Sequence, residues 1–168
     1  MLVSACGRGD DSRSETDTTA VSGARDVQRL NVTLDLEHTA VAAYTMGTAV
    51  LEAPVLGLAQ AFLRHEQAHA DQLTRLVRKL GGTPHQPKLA QEYARSFPAM
   101  EAGEDVLRFA VALEREALRT YLDSGPLLTD PCMRQTAAAI ATVQAEHLSV
   151  LLGALGEPQV PDAFVVGR

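Results

Sequence analysis

The sequence has almost no cysteine. Cys6 and Cys132 lie far apart and outside any Cys-x-x-Cys pair, which excludes disulfide scaffolds, zinc ribbons and rubredoxin-type iron sites. Any metal must therefore be held by carboxylates and histidines. Basic residues are too sparse to form a run: 15 Lys and Arg against 21 Asp and Glu leave a net charge of -6, so nucleic acid is not an expected partner. No stretch reaches the ~18 uninterrupted apolar residues of a membrane-spanning helix. Strand-like alternation is missing as well. What is there is 168 residues, 46% hydrophobic and 4% aromatic, a globular composition at a length that usually makes one domain.

Residues 7–24, GRGDDSRSETDTTAVSGA, carry almost no large apolar side chain and cannot bury enough surface to offset ordering entropy. Residues 1–24 therefore read as a disordered tail and tether. Just before the tether, Val3-Ser4-Ala5-Cys6 resembles a bacterial lipobox, in which the cysteine becomes the lipidated first residue. On that reading the protein is exported to the cell envelope and lipid-anchored on Cys6, with a leader encoded upstream of Met1. If the run is accidental, Cys6 is a stray tail residue and the protein is cytoplasmic.

Beyond the tether, glycine and proline cut the chain into four segments of helical periodicity. The first helix is expected over Arg25 to Glu52, before Pro54, and the second over Val55 to Leu80, before Gly81-Gly82. Their short connection makes them antiparallel. The third is expected over Glu104 to Asp123, and the fourth opens at Asp130-Pro131, an N-cap followed by proline, and closes near Gly156 and Pro158. Residues Gly81 to Gly103 form a crossover with a short helical piece around Leu89 to Arg95. The fold class is all-α: an antiparallel four-helix bundle over 25–156, with one long crossover and a C-terminal extension over 157–168.

Polar residues interrupt each expected core seam near mid-helix. Leu30, Leu34, Glu37, Val41, Tyr44 and Leu51 make the first seam, and Phe62, Glu66, His69, Leu73, Leu76 and Leu80 the second. Leu107, Ala110, Glu114, Ala117 and Tyr121 make the third; Met133, Ala137, Ile140, Gln144, His147, Leu151 and Ala154 make the fourth. The pattern repeats. Glu37 precedes Tyr44 by 7 residues, as Glu114 precedes Tyr121, and the spacings Glu37 to His69 and Glu114 to His147 are 32 and 33. A duplicated helix pair explains both.

Moving an unpaired carboxylate out of water costs several kcal/mol, so seam glutamates require protonation, a cationic partner or a metal. No Lys or Arg shares these seams, since Arg115 and Arg119 turn away from Glu114. Glu66-x-x-His69 sets carboxylate and imidazole one turn apart on one face, suited to one cation, and oxygen with imidazole suits iron or manganese.

These residues resemble the di-iron or di-manganese carboxylate pattern of the ferritin-like superfamily: one Glu from each of two helices and Glu-x-x-His from each of the other two. The resemblance spans roughly residues 25–156 and is nearest the bacterial ferritin-like domain proteins, often exported and distantly similar to rubrerythrin. The ending Val160-Pro161-Asp162-Ala163-Phe164-Val165-Val166-Gly167 is similar to that group's closing segment. It implies Glu37 and Glu114 as single-helix carboxylates, Glu66 as the bridging one, and His69 and His147 as terminal ligands. Gln144 departs from the pattern, for it stands where a second bridging glutamate is expected. Two divalent ions against three glutamates leave +1, so one or two ions of iron or manganese per chain, or a lost site, remain open.

The resemblance implies metal ions as partners and oxygen- or peroxide-linked redox chemistry, with a homodimer as the open protein partner. The alternative is a non-catalytic bundle with a degenerate site, acting as a structural or stress-related envelope binding protein. In that case the cluster is a buried polar network that fixes bundle register. His38 and His65 are expected off the seam, as surface or interhelix hydrogen-bonding histidines, and His85 exposed in the crossover. Tyr44 and Tyr121 are expected as seam residues first and donors to the cluster second.

Overall fold

The computed structural model describes residues 16–163, with side chains from residue 22 onward, and every regular element among them is helical. In chain order these are α1 (Thr16–Gly47), α2 (Val55–Lys79), α3 (Ala90–Ser96), α4 (Gly103–Ser124) and α5 (Pro131–Ala154), with a 3₁₀ turn at Gly125–Leu127 after α4. Helices α1, α2, α4 and α5 form the bundle, and α3 lies in the crossover. The closest packing is α1 on α2 and α4 on α5, and α1 and α4 join the two pairs.

α1 begins at Thr16, so residues 16–24, read from composition as tether, have helical backbone. Once the downstream helix is nucleated by packing, adding a turn fixes few further dihedrals. Cys6 and the remainder of the tail lie outside the described residues. At its other end α1 stops at Gly47, short of the expected Glu52. There α1 approaches α4 so closely that a Cβ on Gly47 would meet Val106 Cγ1 at 2.6 Å.

α2 and α5 end alike. Gly81 has φ 75° and Gly156 has φ 74°. In the first, Gly81 N donates to Arg78 O at 2.9 Å and Gly82 N to Val77 O at 3.0 Å; in the second, Gly156 N donates to Gly153 O at 3.0 Å and Glu157 N to Leu152 O at 2.9 Å. Both are Schellman motifs, which satisfy the last carbonyls and need a left-handed residue that glycine adopts without a Cβ clash. α5 opens as expected: Asp130 accepts from Cys132 N at 2.7 Å, with proline at the first helical position.

The core follows a straight-helix stripe rather than strict heptads. In α1 Ala40 is buried and Val41 only partly; in α2 Leu73 is buried as expected, but Ala70 and Val77 are buried while Leu76 and Leu80 are only partly so; in α5 Ala154 is exposed. A helix of 3.6 residues per turn drifts about 20° per heptad against a 3.5-residue repeat, which carries the buried face around. Leu34, Leu73 and Val77 are fully buried, each stabilising the bundle by about 1.5–3 kcal/mol. Among the described helices α5 alone is long and apolar enough to cross a membrane, yet its Gln144 and His147 are buried against the other helices.

Two side-chain clamps hold the connections. Asn31 Nδ2 donates to Thr83 O at 3.0 Å and its Oδ1 accepts from His85 N at 2.9 Å, fixing the crossover on α1. Buried Asp26 accepts from Thr129 N at 2.9 Å, from the Thr129 hydroxyl, and from Arg29 at 3.2 Å, which ties α1 to the loop before α5.

Candidate metal centre

Four helices bring the six residues singled out in the sequence to one place at mid-bundle. α1 supplies Glu37, α2 Glu66 and His69, α4 Glu114, and α5 Gln144 and His147; all are buried except His69, whose side chain is 12% exposed. Glu37, Glu66 and His69 form one group and Glu66, Glu114 and His147 a second, and in each the candidate ligand atoms lie within 4.8 Å of one another. Glu66 belongs to both.

The separations suit a cation. Ligand atoms about 2.1 Å from one ion stand about 3.0 Å apart at right angles and about 3.4 Å apart at tetrahedral angles. His147 Nδ1 is 2.9 Å from Glu66 Oε1 and 3.3 Å from Glu114 Oε1; His69 Nδ1 is 3.2 Å from Glu66 Oε2 and 3.5 Å from Glu37 Oε2. Distance alone would also fit hydrogen bonds, so alignment decides. His147 Nδ1, Glu66 Oε1, Glu37 Oε2 and Gln144 Oε1 are buried with no hydrogen-bond partner. Buried polar atoms are ordinarily paired, and unpaired carboxylate oxygen and imidazole nitrogen side by side are donors a divalent metal takes.

Around this core the two halves exchange hydrogen bonds. Tyr44 OH of α1 donates to Glu114 Oε1 of α4 at 2.6 Å, and Tyr121 OH of α4 donates to Glu37 Oε1 of α1. Gln144 Nε2 donates to Glu66 Oε2 at 3.2 Å and more weakly to Glu37 Oε1 at 3.4 Å.

Burial, with the facing Glu66 carboxylate, pushes the Glu37 acid well above its ordinary range, and burial also raises Glu114. For Glu66 burial acts in the same direction but is outweighed by the Glu37 carboxyl and the His147 and His69 imidazoles, which hold it well below. Burial disfavours the imidazolium forms, yet Glu37 and Glu66 raise His69 to about 10, and Glu114 and Glu66 raise His147 to about 9. Without metal, protons on these groups balance the buried carboxylates.

Two neighbours of His147 were not assigned to the site from sequence. Phe62 stacks on its ring with centroids 3.8 Å apart, and His65 Nδ1 lies 2.9 Å from its Nε2. His65 is exposed, an interhelix histidine as its register predicts. Phe62 shows in the sequence only as a seam residue, because nothing in a heptad says which ring it meets. His85 pairs with Asp35 at 2.9 Å on the surface, and His38 is partly buried on α1; neither joins the cluster.

Comparison with known proteins gives the same architecture. The model of the ferritin-like domain family matches residues 25–157. A conserved hypothetical protein of Mycobacterium tuberculosis is similar in fold, with a TM-score of 0.72 and 18% identity over 79% of this chain and 98% of that one. A protein of Bacillus anthracis strain Ames, described as ferritin like and diiron-carboxylate, has a TM-score of 0.67 and 20% identity over 80% of this chain and 97% of its own. At these identities the likeness is one of fold. No curated protein matches the sequence.

Proposed function

This chain belongs to the ferritin-like domain family, and from that premise we propose that it is a metal-binding protein holding iron or manganese between Glu37, Glu66, His69, Glu114 and His147. The observation that carries the reading is the pair of Glu/His groups sharing Glu66, with buried ligand atoms left unpaired. Metal bound there supplies one-electron chemistry toward dioxygen or hydrogen peroxide. The chain's own residues supply the rest. Tyr44 and Tyr121 hold the single-helix carboxylates by one oxygen each, which orients them before any ion arrives. His65 and Phe62 fix the plane of His147 and leave its Nδ1 facing the carboxylates. Leu34 and Leu73 are fully buried in the bundle core.

Loading metal-free protein with iron(II) under nitrogen, then adding hydrogen peroxide or dioxygen, tests the activity. Oxidation of iron faster than in buffer, lost in Glu66→Ala, supports it. Iron that binds but oxidises no faster than in buffer leaves a metal-binding bundle without this chemistry. A cell-envelope location rests on Val3-Ser4-Ala5-Cys6, and fractionation of cells expressing the chain with its native upstream sequence decides it. Recovery in the cytoplasm removes that part of the proposal.

A further inference from the structure

Resting on the reading of this cluster as a metal centre, we infer that Gln144 makes the centre unequal. The group Glu66, Glu114 and His147 takes the first, tight divalent ion, and the group Glu37, Glu66 and His69 takes a second only weakly.

Gln144 acts on one side. Its Nε2 donates to Glu37 Oε1 at 3.4 Å and Glu66 Oε2 at 3.2 Å, and Glu66 Oε2 also meets His69 Nδ1 at 3.2 Å. Glu37 Oε1 accepts from Tyr121 as Glu114 Oε1 accepts from Tyr44, so the tyrosines do not distinguish the two sides. On this side Gln144 Nε2 and His69 Nδ1 both meet Glu66 Oε2, one of the two carboxylate oxygens an ion would use, while the other, Glu37 Oε2, is buried without a hydrogen-bond partner. An ion must displace the Gln144 contact with Glu66 Oε2, and whichever end of the amide then faces it is neutral, so no carboxylate charge is gained.

On the other side Gln144 meets none of the candidate ligand atoms. Glu66 Oε1 and His147 Nδ1 are 2.9 Å apart, buried, and neither has a hydrogen-bond partner. Glu114 Oε1 lies 3.3 Å from the same nitrogen, with Tyr44 holding that carboxylate. His147 is also the better prepared imidazole. Its Nε2 is engaged by His65 and its ring lies on Phe62, whereas His69 stands at a partly exposed edge. Preorganised ligands lose less freedom on binding. Charge points the same way: one divalent ion against Glu66 and Glu114 is neutral, while two ions against three glutamates leave an uncompensated buried charge.

Titration of the metal-free full chain with manganese(II) chloride, followed by electron paramagnetic resonance and by calorimetry, tests the asymmetry. The expected result is one ion per chain, at least tenfold tighter than any second, with the signal of an isolated ion. Gln144→Glu should bring the second ion to within tenfold of the first. Glu37→Gln should keep the tight ion, and Glu114→Gln should weaken it tenfold or more. Two ions of equal affinity in the unaltered chain overturn the inference while leaving the metal reading intact, as does loss of the tight ion in Glu37→Gln but not in Glu114→Gln. No binding by either the unaltered chain or Gln144→Glu ends both readings. The stoichiometry of the unaltered chain decides the matter even if a variant fails to fold, which circular dichroism would report.

Discussion

Tyr44 on α1 donates its hydroxyl to Glu114 on α4 at 2.6 Å. The relation is returned, because Tyr121 on α4 donates to Glu37 on α1. Within each helix the Glu–Tyr spacing of seven residues spans about 10 Å at 1.5 Å per residue, too far for direct contact. Each tyrosine must therefore look across to the other half of the repeat, and the crossed pair ties the two halves at the level of the candidate metal centre.

Replacing either tyrosine by phenylalanine removes one donor from a buried carboxylate. Tyr44→Phe and Tyr121→Phe are each expected to lower the stability of the metal-free protein by about 1–3 kcal/mol, measured by urea denaturation. A change below about 0.5 kcal/mol in both would mean that the exchange holds nothing together.

The seven-residue repeat was legible in the sequence, and so were the four helices, the crossover and all six residues that converge. Glycine and proline mark helix ends chemically, and a glutamate in an apolar seam stands out because its burial is costly. Partners across the bundle were not legible. Tyr121 with Glu37, or His65 with His147, depends on helix rotation, and strict heptads misplaced that rotation where Ala40 replaces Val41 and Val77 replaces Leu76 in the core. The start of α1 was misread for a related reason, since composition reports what a segment can bury and not whether a neighbouring helix will extend into it.

The protonation of the centre sets a pH dependence. His69 is raised to about 10 and His147 to about 9, from an ordinary 6.5. A histidine raised on folding stabilises fully below its unfolded value, and that contribution is lost as pH rises through the folded one. Glu37, raised above 4.5, acts in the same direction, because the unfolded chain gives up its proton first. The melting temperature of the metal-free protein should therefore fall between about pH 6.5 and pH 10. A melting temperature that rises across this window contradicts the assignment of these protons. Glu66, held low, acts in the opposite sense, and its contribution is lost as pH falls below the ordinary 4.5.

The helix ends predict a matched pair of effects. Gly81→Ala and Gly156→Ala place a Cβ at φ 75° and 74° with open space around it, so backbone strain is the whole cost. Each should destabilise by about 1 kcal/mol. Gly47→Ala should cost more, since its Cβ would meet Val106 Cγ1 at 2.6 Å and that side chain or its helix must shift. Chemical denaturation of the three variants orders them, and an equal loss in all three would refute the close α1–α4 approach.

The most direct test of the metal centre is metal content. Glu66 belongs to both candidate groups, so its removal strikes every ion the centre can hold. Metal-free chain and its Glu66→Ala variant should be dialysed against iron(II) under nitrogen and measured by mass spectrometry of the eluted metal. The account predicts at least one iron per chain in the unaltered protein and background in Glu66→Ala, with helicity unchanged. Background metal in both, or equal metal in both, would contradict it.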